Sequence, residues 1–240
     1  MSGRRRFFTE IQEGSTEAEI SGEEFIHAKT VQRVEEGSEI TLLDGSGKEY
    51  AAIVTKVSKH SLTAHITGER EGDKEPETFM YLLCGALKGD KTELVVQKAT
   101  ELGAGKIGVF SSEYCSAYMN ENKLERLNKV AREAAKQCMR SRAPEVIYFD
   151  NFASALESAN TCENKIFACE FAKKSDINLS KINGSTAIVV GSEGGFSEKE
   201  AAAAQSAGFS QITLGKRILR AETAAIALLS LVAFGLGELK

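Results

Sequence analysis

From residue 79 onward the chain carries short apolar runs into which no polar residue alternates, and these limit the possible folds more than any other feature. FMYLLCGAL (79–87), KIGVFSS (106–112), KIFACEF (165–171) and TAIVV (186–190) are of this kind. A strand with one wet face alternates apolar and polar side chains, whereas a strand covered on both faces does not. Helical stretches separate the runs. TELVVQKATELG (92–103) closes on Gly103, and a longer helix from about Asn120 to Arg142 stops before Pro144. EVIYF then gives a third strand, FASALESA a short helix, and SEKEAAAAQSAG (197–208) a helix whose Ser197 and Glu200 form a capping box. ITL (212–214) and a last apolar helix complete the series. This order predicts an open α/β domain with a parallel sheet.

Residues 1 to about 70 follow a different pattern. SEITLLDGSGKEYAAIVTKVSKHSLTAHI has β-branched runs broken at Asp44–Gly47 and near Ser58–His60, the mark of hairpins in a small β domain. GEREGDKEPE (68–77) is charged, contains a proline and has no apolar face, so it reads as a linker. The expected division is 1–72 and 73–240. A formal charge of -4 provides no global attraction for nucleic acid, so any polyanion site must be local. Cys84, Cys115, Cys138, Cys162 and Cys169 lack CxxC spacing and a nearby histidine cluster, which favours reduced thiols in the cytoplasm over a disulfide framework or a metal site. SGRRRFF behind Met1 has no apolar core, so a standard export signal is not expected. The most apolar window, 223–236, is too short to span a bilayer.

Ligands of open parallel sheets sit beyond the carboxyl ends of strands. Two loops fall there: VVGSEGGFS after the fifth strand and TLGKRILRAET after the sixth. Gly191, Gly194 and Gly195 let main-chain groups approach a ligand closely. Neither GxGxxG after a first strand nor GxxxxGK[ST] is present, which argues against NAD and P-loop nucleotides. In the second loop Gly215 permits a turn, and Lys216, Arg217 and Arg220 cannot all be buried unpaired. They suit a phosphate or ribose; the alternative is an internal pair with Glu222. The helix 121–142 adds Lys123, Arg126, Lys129, Arg132, Lys136, Arg140 and Arg142, either a grip on a nucleic-acid backbone or a solvated face. Arg4, Arg5 and Arg6 precede Phe7 and Phe8, a cationic and stackable start that suits RNA or, for the phenylalanines, simply anchors a first strand.

Taken in order, RRFF (5–8), KATELG (98–103), EAAKQCMR (133–140) with Pro144, GSEGGFSEKE (191–200) and LGKRILRAET (214–223) resemble the bacterial ribosomal RNA small-subunit methyltransferase E family over essentially the whole chain. The resemblance implies an N-terminal PUA-like β barrel that binds RNA and a C-terminal SPOUT domain with a deep trefoil knot. It also implies a cytoplasmic homodimer that uses S-adenosylmethionine to methylate N3 of one uridine in the decoding region of 16S rRNA, without a metal. By match to the family loops, Gly191, Ser192, Glu193, Gly194, Gly195, Leu214, Gly215, Ile218 and Leu219 hold the cofactor, mainly through main-chain groups. Arg4, Arg5, Arg6, Arg33, Arg132, Gln137, Arg140, Arg217 and Arg220 are the expected RNA contacts. Arg220 is the expected group that orients and stabilises the uracil, and Glu193 either accepts a proton or anchors its loop. Three departures from the family pattern stand out. Ser192 replaces the usual proline, Tyr114 replaces an arginine, and Cys138–Met139 stand within the usual QSxR.

The runner-up within enzymes is a knotted methyltransferase acting on tRNA or a ribose 2′-hydroxyl. From another class, an RNA-binding assembly factor without catalysis is raised by Ser192 and Tyr114.

Overall fold

The computed structural model describes residues 5–169 and 177–240, so Arg4 lies outside the described residues. By contact the chain divides into two units. One comprises the described residues up to Glu75 together with Ala135–Ala143, and the other comprises Pro76–Ala134 together with Pro144–Lys240.

In the first unit β1 (Arg6–Phe8), β2 (Glu17–Ser21), β3 (Glu39–Leu43), β4 (Lys48–Val57) and β5 (Ser61–Glu71) form one sheet in the order β1-β3-β4-β5-β2. Only the β1–β3 pair is parallel. A hydrogen bond from Thr9 Oγ1 to Glu19 O (2.7 Å) ties the chain just beyond one edge strand to the other edge strand. Phe7, Ile20, Leu42, Val54, Leu62 and Ala64 fill the interior. The hairpin expected at Asp44–Gly47 is present: the Asp44 carboxylate accepts from Ser46 N (2.8 Å) and from the Tyr50 hydroxyl (3.0 Å). Between β2 and β3 lies a short helix α1 (Gly22–Ile26) that continues as a π-helical turn (His27–Val31), neither of which the sequence reading included.

Two sequence expectations need correction here. Residues 68–71 are not linker but the end of β5, where Arg70 meets Glu49 and Lys48 meets Glu69 across the β4–β5 ladder. Cross-strand opposite charges stabilise such a wet strand, so a charged run need not be a break. Helix α3 (Glu121–Gln137) also ends before Arg142. Met139 adopts a left-handed φ of 69°, and Met139 N and Arg140 N bond back to Lys136 O and Ala135 O, which closes the helix.

Residues 135–143 pack into the first unit through three carboxylates. Lys136 pairs with Glu24 at 3.0 Å. Arg140 donates to Glu75 Oε2 at 2.9 and 3.1 Å, while Glu75 Oε1 accepts from the N–H groups of Ser141 and Arg142. Arg6 donates to Glu49 at 2.7 Å and also to the carbonyls of Met139 and Arg140. The Arg6 and Glu49 side chains are 2% and 3% exposed. Burial pushes the Glu49 carboxyl upward, but the hydrogen bonds and charges of Arg6 and Arg70 outweigh it and leave the pKa below the ordinary value.

The second unit is a six-stranded sheet, wholly parallel, of β6 (Met80–Gly85), β7 (Lys106–Phe110), β8 (Glu145–Phe149), β9 (Asn164–Ala168), β10 (Thr186–Val190) and β11 (Ser210–Ile212). Its order is β11-β9-β10-β6-β7-β8. Successive side chains go to opposite faces. Met80, Leu82 and Cys84 join one core with Val96 of α2 (Lys91–Glu101) and Leu228 of α6 (Ala221–Gly235). Tyr81 and Leu83 join another with Leu156 of α4 (Phe152–Ser158) and Ala204 of α5 (Glu198–Ser206). Both faces are therefore dry, which is why the strands read as continuous apolar runs. Each fully buried aliphatic or aromatic side chain contributes about 1.5–3 kcal/mol. The Ser197–Glu200 capping box opens α5 as expected.

Among the described residues no helix is long and apolar enough to cross a membrane. None of the five cysteines forms a disulfide among the described residues.

Replacing Glu49 with alanine leaves Arg6 buried without its partner, so the expected loss is about 3–5 kcal/mol. A reduced urea midpoint for Glu49→Ala, beside a nearly unchanged one for the exposed partner change Arg70→Ala, is the expected outcome.

Candidate functional site

The site is set by the ends of three adjacent strands. In the sheet, β9 lies between β10 and β11, so the loops that follow β10 and β11 stand on either side of the β9 terminus. Strand spacing separates their roots by about 10 Å. Between them is a cavity of ≈ 510 Å³. Ala168 and Cys169 at the end of β9 contribute to it, and Val190–Glu193, Gly195 and Phe196 form one wall. Ile212–Ala221 and Ala224 form the other wall, and Lys91 joins them from α2.

The first wall is fixed by close packing. Ser192 and Gly195 form an isolated bridge, with Gly195 N donating to Ser192 O at 3.0 Å. The loop rests on the end of β6, where a Cβ on Gly85 would lie 2.4 Å from Ser192 N; only glycine fits there. Phe196 anchors the loop exit in an aromatic cluster, 4.6 Å from the Phe167 centroid and 5.1 Å from that of Phe152. The second wall turns at Gly215, whose φ of 105° is open to glycine alone at low cost. Arg220 then caps α6 with its main chain, Ala224 N donating to Arg220 O at 2.8 Å.

A lysine holds the two walls in relation to each other. Lys91 Nζ is 3.2 Å from Glu193 on the first loop and 3.7 Å from Glu222 at the start of α6. Glu193 Oε1 also accepts from Lys88 N at 3.1 Å. Burial raises the Glu193 pKa, but the N–H groups of its own residue and of Lys88, together with Lys91, more than offset this and hold it below the ordinary 4.5. Such a carboxylate is a poor proton acceptor, so of the two roles expected for Glu193 the geometry favours anchoring the loop. Glu222 pairs with Lys91 and not with Arg217 or Arg220, which removes the alternative of an internal Arg–Glu pair. Its second oxygen, Oε2, is buried and has no hydrogen-bond partner among the described residues. Below, the Cys84 thiol is pushed up to about 12, first by burial and then by Glu193, Cys115 and Glu222. Lys216, Arg217 and Arg220 are exposed on the rim of the cavity. Exposed cations there suit a polyanion.

A family model described as RNA methyltransferase domain matches residues 74–233, and one described as RNA methyltransferase PUA domain matches residues 20–67. The chain is 30% identical over 246 residues to the ribosomal RNA small subunit methyltransferase E of Bacillus subtilis, covering 96% of each. The enzyme of the same designation from Mesomycoplasma hyopneumoniae is 36% identical over 180 residues, 74% of this chain and 79% of that one. A crystal structure of the Neisseria gonorrhoeae enzyme bound to S-adenosyl methionine superposes with a TM-score of 0.85 at 31% identity, covering 97% of this chain and 98% of that one. The chain belongs to the ribosomal RNA small subunit methyltransferase E family. Its two domains are accordingly a PUA-like N-terminal domain and a SPOUT-type α/β methyltransferase fold.

Against this family background, the nine expected cofactor residues come together with one exception. Gly191, Ser192, Glu193, Gly195, Leu214, Gly215, Ile218 and Leu219 line the cavity. Gly194 instead faces the loop after β7, where its Cβ would lie 2.5 Å from Tyr114 O. That contact uses the main chain of Tyr114, so the tyrosine in place of the usual arginine leaves the packing intact with its ring half exposed.

The expected RNA contacts divide. Arg217 and Arg220 are on the cavity rim, Arg132 and Gln137 are exposed on α3, Arg33 is exposed in the first unit, and Arg5 is half-buried there. Arg6 and Arg140 require correction: buried against Glu49 and Glu75, they hold the first unit together and present no charge to solvent. The sequence reading missed Lys91 and Gly85. A lysine in the first turn of a helix opposes the helix dipole, and this was the available signal that carboxylates compensate it.

The linkage sign for Glu193 follows from its lowered folded pKa. The stabilisation it brings is complete above the unfolded value near 4.5 and is lost as pH falls through the folded value. In Lys91→Met the carboxyl is expected to titrate closer to 4.5, as read by NMR of the side-chain carboxyl carbon. An unchanged titration would mean that the main-chain donors suffice.

Proposed function

We propose that this chain is an S-adenosylmethionine-dependent methyltransferase of 16S rRNA, that its target atom is N3 of one uridine in the decoding region, and that it works as a homodimer. The observation that carries the reading is the convergence of both family loops on a single cavity, in a chain 31% identical to an enzyme seen bound to S-adenosyl methionine.

The residues present fit that cofactor. The volume lies within the range of about 300–1,000 Å³ usual for small-molecule sites. The walls offer main-chain groups around Gly191–Gly195 and Leu214–Leu219 for a nucleoside. The buried, unpartnered oxygen of Glu222 and the carboxylate of Glu193 favour a positive charge nearby. When bound, the cofactor supplies an electrophilic methyl on a sulfonium.

The protein must present a nucleophilic nitrogen to that methyl. N3 of uracil bears a proton, and its loss leaves negative charge on the flanking carbonyl oxygens. His27, His60 and His65 all belong to the first unit and Glu193 is held anionic by its donors, so among the described residues the cavity walls offer neither a histidine nor a carboxylate of raised pKa as a base. Arg220 on the rim orients the uracil and stabilises the developing charge, and Arg217 takes a neighbouring phosphate. Proton loss to solvent from a uracil so polarised needs no dedicated base. The exposed Arg33, Arg132 and Gln137 and the half-buried Arg5 supply further contacts to the RNA.

Removing one such charge-stabilising donor typically costs about 10²–10³ in turnover. Arg220→Ala is expected to lose that much in single-turnover methyl transfer with RNA affinity little changed; near-normal turnover would remove Arg220 from the chemistry. Tritiated methyl transfer to purified 30S particles and to free 16S rRNA, followed by mapping, is expected to place the label on N3 of one uridine. Label on a ribose 2′-hydroxyl or on tRNA would instead support the runner-up. Binding is expected to weaken steeply with salt as phosphate contacts are lost; an affinity flat from low to moderate ionic strength would contradict a grip on phosphates.

A further inference from the structure

The rim of the cavity contains a side chain that the reaction described so far does not use. Ile218 lines the cavity wall through its loop, yet the residue is 90% exposed, more than any other large apolar residue described. A single exposed aliphatic is ordinary on a protein surface. This one differs in its neighbours. Arg217 precedes it and Arg220 follows two residues later, both exposed, and neither is engaged by Glu222, which Lys91 takes instead. An exposed isoleucine therefore stands in the chain between two exposed cations, in a loop that lines a cavity with room for a nucleoside.

Its chemistry matches a particular task. A nucleotide that leaves a folded RNA to enter a cavity leaves a gap in its stack, and proteins that unstack bases insert apolar side chains at such places. Isoleucine suits this because its β-branch leaves few rotamers, so it loses little freedom on insertion. It carries no hydrogen-bonding group and so fills the gap without selecting the neighbouring base. The flanking arginines carry the charge that a phosphate needs.

We propose that Ile218 is the wedge that occupies the gap left by the extruded nucleotide and keeps the target base over the cavity. The inference rests on the rRNA methyltransferase reading and deepens it: the occupant of the Ile218 side chain is the RNA base stack. The main-chain contribution of residue 218 to the cofactor wall is separate from this.

The test compares wild type, Ile218→Ala and Ile218→Leu in single-turnover methyl transfer to two substrates. One is folded 16S rRNA, and the other is a short unstructured oligonucleotide containing the mapped uridine. S-adenosylhomocysteine binding is followed by calorimetry and oligomeric state by sedimentation. The wedge requires Ile218→Ala to lose on the order of tenfold on folded rRNA, the worth of a truncated apolar contact. It also requires that the loss on folded rRNA exceed the loss on the oligonucleotide several-fold, that Ile218→Leu restore the wild-type ratio between the two substrates, and that S-adenosylhomocysteine affinity and sedimentation stay as in the wild type. Equal loss on both substrates, or weakened S-adenosylhomocysteine binding, would overturn the proposal in favour of a cofactor wall. Altered sedimentation would overturn it in favour of a subunit contact, and full activity of Ile218→Ala would overturn it outright. Absence of methyl transfer by the wild type to either substrate would overturn the underlying reading and the wedge with it. A wild type active on rRNA without the substrate-dependent loss in Ile218→Ala sinks the wedge alone.

Discussion

A parallel sheet with both faces buried has only its strand ends left for chemistry, and the second unit of this protein is organised around that constraint. The alternation of Met80, Leu82 and Cys84 with Tyr81 and Leu83 commits one face to α2 and α6 and the other to α4 and α5. Function is then confined to the loops beyond the carboxyl ends. The strand order puts the end of β9 between the loops after β10 and β11. Two segments separated in sequence by α5 and β11 become the facing walls of one cavity. Lys91 bridges them through Glu193 and Glu222, so the ionic contacts complete what the sheet begins.

Charge has two distinct uses in this molecule, and the position of the counter-charge decides between them. Arg6 and Arg140 meet Glu49 and Glu75 in the interior of the first unit, where the pairs fix the segment 135–143 against the sheet. Among the described residues Arg217 and Arg220 meet no such carboxylate and remain on the cavity rim, the nearby Glu222 being engaged by Lys91.

How much of this was legible in the sequence depended on the range of the interaction. Five strands of the second unit, the Ser197 cap and the Asp44 turn were readable because periodicity and capping are local, while the short sixth strand, Ser210–Ile212, begins two residues before the expected 212–214. The two loops were readable from glycine placement and family motif, and they do converge, with Gly194 turned aside to Tyr114. What sequence reasoning missed was paired over long distances. Arg6 finds Glu49 43 positions on and Arg140 finds Glu75 65 positions back, so neither burial was visible in a run of basic residues. The charged end of β5 was mistaken for a linker because its stabilising partners, Lys48 and Glu49, lie in the other strand. Lys91, likewise, has meaning only once Glu193 and Glu222 are beside it.

The central claim is that the segments 191–196 and 213–220 close on one adenosyl ligand. Amide hydrogen exchange of the full chain with and without S-adenosylhomocysteine tests it directly. Both segments are expected to gain protection together and with the same ligand dependence, while the first unit stays unchanged. Protection of one segment alone, or of neither at saturating ligand, would contradict the account.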